Sequence, residues 1–124
     1  MWLLTKIGFY SITKKPSHLN PDGPAVFTIR GRDKDDLKRL AELVSPDLAK
    51  RPVVHEYAYS DYPYRVYLNT QEEMDAVMAK LAALIDYDNF KDTIDDTPHQ
   101  KLKSKAYHKF WGLLEEPHRD LRPR

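Results

Sequence analysis

Residues 70–85 constrain the fold more than any other stretch. Thr70 and Glu73 stand at the spacing of a capping box, in which a hydroxyl accepts from the amide three residues on. Met74, Val77, Met78, Leu81, Leu84 and Ile85 then recur at helical spacing and form one apolar stripe. A helix with one apolar stripe has to bury it against a second layer. The remainder of the chain must therefore supply that layer.

A second helix is predicted at 33–44. Asp33 is placed to cap it, and Asp35 and Asp36 fall where the helix dipole favours negative charge. Leu37, Leu40, Ala41 and Val44 share a face, and Ser45-Pro46 ends the helix.

The strand signals surround these two helices. Residues 2–13 are aromatic and β-branched and read as one strand. Leu3, Thr5, Ile7 and Phe9 then point one way, and Trp2, Leu4, Lys6, Gly8, Tyr10 and Ile12 the other. Gly8 marks a bulge or a close approach by another group. Lys14 to Pro24, with three prolines and a glycine, reads as a loop. Ala25–Arg30 alternates Val26, Thr28 and Arg30 against Phe27 and Ile29, and Gly31 ends it. Val53–Tyr59 and Tyr64–Leu68 form a hairpin across Ser60–Pro63. His55, Tyr57 and Tyr59 share a face of its first strand, and Tyr62, Tyr64, Val66 and Leu68 a face of the second. Ile85–Lys91 is expected as a short closing strand that buries Tyr87 and Phe90. Asp92–Pro98 is acidic and turn-rich. A third helix at 104–116 carries Ala106, Tyr107, Phe110, Trp111 and Leu114 and stops at Pro117.

From the second strand onward this order is β-α-β-β-α-β, the split βαβ or ferredoxin-like arrangement. The expected fold is α+β: a ferredoxin-like antiparallel sheet with an added N-terminal strand and an added C-terminal helix. The length predicts a single domain over 1–117, with His118–Arg124 as a flexible basic tail.

Charge and composition narrow the function classes. Lys and Arg number 20 against 19 Asp and Glu, so steering toward nucleic acid or membrane needs a local patch. The absence of cysteine removes disulfides, thiolate zinc sites and thiol nucleophiles, and fits a reducing cytoplasm. The apolar run at Met1–Thr5 is interrupted by Lys6 and Gly8. It is too short for a signal peptide's apolar core or a membrane span. A cytoplasmic protein with no membrane association is expected.

Four stretches together resemble a family of small uncharacterised bacterial proteins: Trp2–Ser11, Ser60–Arg65, Asp86–Lys91, and Tyr107-His108 followed by Trp111. The resemblance covers most of the chain in the same order and implies one intact domain. It implies no particular reaction. The Gly-rich or Gln-Pro-containing insertion common after the first strand in such proteins is reduced here to the shorter Lys14–Pro24 loop.

Several motifs are absent. Four glycines build no Gly-x-Gly-x-x-Gly or Walker loop, and Gly-x-Ser-x-Gly does not occur. A serine nucleophile stays open, because triads are set by geometry. Read as a calcium loop from Asp86, the acidic run needs Gly at its sixth position and Glu at its twelfth. Those positions hold Lys91 and Thr97, so Asp86, Asp88, Asp92, Asp95 and Asp96 read as a solvated loop. His18, His55, His99, His108 and His118 show no zinc spacing. No metal or cofactor is expected.

Two constellations remain. His108, beside Tyr107 and near Trp111, is the candidate general base of a small acid–base enzyme if Glu115 or Asp88 orients it. Lys6, Lys14, Lys15, Arg30 and Arg32, with Tyr10, Tyr57, Tyr59, Tyr62 and Tyr64, suggest a sheet that stacks bases and holds phosphates. The favoured reading is a non-enzymatic module for single-stranded nucleic acid or a nucleotide. Its polar surface at the strand ends is expected from Lys6, Tyr10, Tyr62, Arg65 and Lys91, with His108 beside them. A protein-binding or homodimerising module, docking through the third helix or an open sheet edge, is the alternative.

Overall fold

The capping residues read from the sequence are where the helices begin. In the computed structural model, which describes residues 1–17, 20–55 and 59–123 (backbone alone at 17, 20 and 21), α1 runs Lys34–Val44. The Asp33 side chain accepts from the Asp35 amide. The Thr70 hydroxyl accepts from Glu73 N at the start of α3, Gln71–Ala82. Ser45 does two things at once: it ends α1 and caps a short α2, Pro46–Lys50, a helix that the prolines at 46 and 52 conceal in the sequence.

The chain divides into two compact units, residues 1–86 and 87–124. The first unit holds a five-stranded antiparallel sheet: β1 (Trp2–Leu4), β2 (Phe9–Ser17), β3 (Asn20–Gly31), β4 (Val54–His55) and β5 (Tyr64–Leu68). Its order is β1-β2-β3-β5-β4. Tyr10, Ile12, Ile29, Val66 and Leu68 face Leu37, Leu40 and Ala41 of α1, Leu48 of α2, and Met74, Val77 and Leu81 of α3. Alternation along each strand puts the helices on that one face.

Three expectations for the elements are corrected. Residues 2–13 are two strands and a turn rather than one strand. Thr5 Oγ1 accepts from Ile7 N and Gly8 N and donates to Gly8 O, closing a tight turn. Trp2 therefore pairs with Ser11, and Leu3 with Tyr10. Gly8 is the place of close approach that its type suggested. A Cβ there would lie 2.5 Å from Asp36 Cγ. Asp36, 1% exposed, accepts from Phe9 N, pairs with Arg39 and offers its carbonyl to Tyr10 Oη. That buried carboxylate fastens the turn to the first turn of α1.

The Lys14–Pro24 loop is instead the far part of the β2–β3 ladder, with Pro16 opposite Ala25 and a register shift after it. Beyond Thr13 and before Phe27 each of these strands has one neighbour among the described residues. Proline lacks an amide donor, and a free strand edge needs none. Residues 56–58, and with them Tyr57 of the expected hairpin face, lie outside the described residues, as does His18.

The third correction concerns 85–91, which form no strand. Asn89 accepts from Asp92 N and caps α4, Phe90–Asp95, so the expected closing strand is instead an irregular stretch over 85–89 that runs into a helix. In this second unit Phe90 packs between Tyr87 and Tyr107, with ring centres 5.8 and 5.7 Å away. The aromatics thus shelter one another without a sheet. A 3₁₀ turn at Pro98–Gln100 leads into α5, Lys101–Leu121. Helix α5 passes through Pro117, where the sequence predicts its end, and takes in part of the expected tail. The proline forfeits one backbone bond, and an ion pair at 2.6 Å from Arg122 to Glu115 spans it.

Candidate functional site

On the sheet face opposite the helices of its own unit, the strand registers align a row of residues across all five strands. Trp2 lies opposite Ser11, Ser11 opposite Arg30, Arg30 opposite Arg65, and Arg65 opposite Val54. The next row holds Thr13, Thr28 and Tyr67. Directly opposed like charges on a sheet destabilise it, and the chain nevertheless places Arg30 across from Arg65.

Tyr62, just before β5, organises the cations. Tyr62 is 7% exposed, and its ring lies against Phe9, with ring centres 6.4 Å apart. The guanidinium of Arg30 stands 4.5 Å and that of Arg32 5.2 Å from the Tyr62 ring centre. Cation–π attraction of this kind fixes a flat guanidinium without neutralising it. Arg30 Nη2 donates to Ser11 Oγ at 2.5 Å, and Arg32 Nε donates to the Asp61 carbonyl at 3.2 Å. Among the described residues no carboxylate forms an ion pair with either guanidinium. Burial first, and the charge of Arg65 second, lower the pKa of Arg30, while Tyr62 and Asp61 oppose the shift.

Polar atoms collect on the same face. Thr13 Oγ1, Thr28 Oγ1 and Arg30 Nε are buried with no hydrogen-bond partner among the described residues. A buried polar group left unsatisfied costs about 1–3 kcal/mol, so three on one face call for an explanation. Hydroxyls and guanidinium N–H groups all donate, and together they suit an anion. Trp2, 62% exposed, ends the row with a flat apolar surface.

The sequence-predicted residues divide accordingly. Tyr62 and Arg65 join this face. Tyr10 does not: it is fully buried in the core, because the Thr5–Gly8 turn sends it to the helix side. Lys6 is engaged by Asp86, its ammonium 2.6–2.7 Å from both carboxylate oxygens. That contact holds the Asp86 carboxyl below the usual carboxylate range. Tyr64 is on the core side, stacked 5.0 Å from His55, and Tyr59 is 94% exposed.

Lys91 and His108 belong to the second unit. The Lys91 ammonium sits 4.7 Å from the Trp111 ring centre. His108 does find a carboxylate, but it is Asp95 rather than Glu115 or Asp88, with Nε2 at 3.3 and 3.4 Å from its two oxygens. Ser104 Oγ donates to the same carboxylate. The Ser104 hydroxyl chiefly, then His108 and Lys91, hold Asp95 below the usual range against partial desolvation. His108 and Asp95 side chains are each 44% exposed, so solvent screens the pair. The arrangement staples α4 to α5.

A cleft of about 200 Å³ beside α2 and α3 is lined by Val44, Leu48 and Leu68. Its cation, Arg51, is paired with Glu73 and donates to the Tyr67 carbonyl. Among the described residues no three His, Asp or Glu side chains converge to hold a metal, and no helix is long and apolar enough to cross a membrane.

The sequence reading puts Trp2 on the side of Tyr10, and it does not reveal the pairing of Arg30 with Arg65, which depends on register. The Thr5-Lys-Ile-Gly8 turn was the available signal for the first, since a Thr four residues before a β-branched and aromatic run, with Gly between, can close a hairpin. No family model matches the chain, and comparison with curated proteins and with solved structures also finds no match.

Proposed function

We propose that the first unit is a non-enzymatic binding module that takes a phosphate-bearing ligand, a single-stranded nucleic acid or a nucleotide, on the sheet face of Arg30, Arg65 and Tyr62. The observation that carries the reading is the pair of guanidiniums, Arg30 and Arg32, fixed on the Tyr62 ring without a carboxylate partner among the described residues. Guanidinium forks match phosphate geometry, and Trp2 and Tyr67 offer surfaces on which bases stack. Of the cations anticipated for a phosphate-and-base surface, this reading uses Arg30 and Arg32 and leaves out Lys6, which is engaged by Asp86. A cytoplasmic setting goes with this reading, supported by the cysteine-free composition. For the fold, we read β3, α1, β4, β5 and α3 as the split βαβ part of a ferredoxin-like arrangement, in which β2 takes the sheet position of the fourth strand.

The test is binding of a short fluorescent oligonucleotide by the whole chain at several salt concentrations. Affinity falls steeply as salt rises if phosphates carry the contact, and Arg30→Gln weakens it about tenfold or more. Absence of binding at low salt removes the proposal.

A second reading, docking of a protein partner or a second copy on α5, is favoured by Trp111, Leu113, Leu114 and Leu121, which are 56–81% exposed. Light scattering that reports one chain per particle at all concentrations removes the self-association form of it.

A further inference from the structure

The chemistry at Tyr62 says more than that an anion binds; it bears on which phosphate. Arg30 and Arg32 are two residues apart, and both are held at one ring, 4.5 and 5.2 Å from its centre. Both forks are thus anchored to one ring, and a single phosphate group at its edge is the simplest ligand to engage the two. Each guanidinium commits one nitrogen to the protein, Arg30 to Ser11 and Arg32 to the Asp61 carbonyl. The remaining nitrogens have no acceptor among the described residues, and Arg30 Nε is buried in that state.

A phosphodiester inside a strand brings one negative charge and two non-bridging oxygens. A terminal monoester brings about −1.5 to −2 charges near pH 7 and three strong acceptor oxygens, with a second pKa of about 6. Two positive forks with most of their donors to spare are better matched by the second. Trp2, on the same row two strands from Arg30, lies roughly 10 Å away at sheet spacing. That is the scale of a nucleotide, so a base on Trp2 and its phosphate at Tyr62 are compatible.

We infer that the site takes a terminal phosphate monoester, the phosphorylated end of a nucleic-acid strand, rather than a phosphodiester within one. This rests on the proposed function above and narrows its ligand.

The experiment uses the full chain and three fluorescent hexathymidylates, one with a 5′-phosphate, one with a 3′-phosphate and one with neither, at pH 7.5 and 5. The expected result is that at least one terminal phosphate tightens binding about tenfold at pH 7.5. The advantage shrinks at pH 5, because the monoester has taken up a proton and lost its second charge. Arg32→Gln, at an exposed position outside the core, removes the advantage: the variant binds phosphorylated and unphosphorylated strands alike, and neither of them more tightly than the unaltered chain binds the unphosphorylated strand. Equal affinity of all three strands overturns this inference while leaving the proposed function standing. No binding by any of them overturns the proposed function itself. A phosphoserine peptide that binds as tightly as the phosphorylated strands overturns the assignment to nucleic acid.

Discussion

The two faces of the sheet are built from the same strands and differ in almost every physical respect. On the helix side Tyr10, Ile29, Val66 and Leu68 are all 3% exposed or less, and the one polar handle among them, Tyr10 Oη, is satisfied by Asp36 O. On the other side Ser11 and Thr28 are just as buried, yet Thr28 Oγ1, Thr13 Oγ1 and Arg30 Nε go without partners among the described residues. One face lowers the free energy of the fold, and the other spends some of that stability on unsatisfied donors. Stored polar cost of this kind calls for an explanation, and the proposed ligand supplies one.

Breaking the first face has the largest expected effect. Leu68→Ala removes a fully buried side chain from between the sheet and α1 to α3 and is expected to cost about 2–5 kcal/mol in chemical denaturation. Thr28→Val, at the neighbouring strand position on the other face, replaces an unpartnered hydroxyl with a methyl group. It is expected to leave stability unchanged or raise it by up to about 1 kcal/mol. If Thr28→Val destabilises as Leu68→Ala does, the contrast between the faces is wrong.

Gly8→Ala comes next. The added methyl group meets the Asp36 carboxylate, and the expected loss, about 1–3 kcal/mol, reads out as a lower denaturation midpoint. Arg30→Gln takes the donor from the buried Ser11 hydroxyl and is expected to cost about 1 kcal/mol, well short of Leu68→Ala, while oligonucleotide affinity falls. Lys6→Ala, whose ammonium is already on Asp86, is expected to leave that affinity unchanged.

The smallest effect sharpens the contrast from outside the sheet, at a polar cluster whose groups are satisfied. Asp95 has its pKa lowered in the folded chain, so its contribution to stability is present above the unfolded carboxyl value of about 3.9 and is lost as pH falls through the lower folded value. A carboxyl-detected NMR titration should give a midpoint below the ordinary aspartate range, and Ser104→Ala should move it back up.

How much of this was legible in the sequence depended on whether the signal was local. Asp33, Thr70 and the stripes behind them located α1 and α3, because a cap and a 3.6-residue period act within one element. Val26–Arg30 revealed its two faces for the same reason. Residues 2–13 misled because Thr5–Gly8 is itself rich in β-branched and apolar types, so a turn was hidden inside a strand composition; one missed turn moved Tyr10 from the surface to the core. The prolines at 16, 21 and 24 read as a loop because a free ladder edge on both strands cannot be seen before the sheet order is known. At 85–91 two aromatics suggested a strand, while Asn89 as a helix cap carried the better information. His108 found its carboxylate at Asp95, before the start of the helix expected at 104–116 and on a different helix, α4, which spacing along α5 does not reveal. Of the proposed ligand face, Tyr62, Arg65 and the cations Arg30 and Arg32 were visible as residue types. Their convergence was not, since it needs the register of three strands.

The central claim is that the ligand meets the sheet face bearing Arg30, Arg65 and Tyr62. Backbone and indole chemical-shift mapping of the whole chain, titrated with a 5′-phosphorylated oligonucleotide, tests it most directly. Shifts concentrated at Trp2, Ser11, Arg30, Arg32, Tyr62, Arg65 and Tyr67 are the expected result. Shifts confined to residues 87–124, or an unchanged spectrum at saturating ligand, would contradict it.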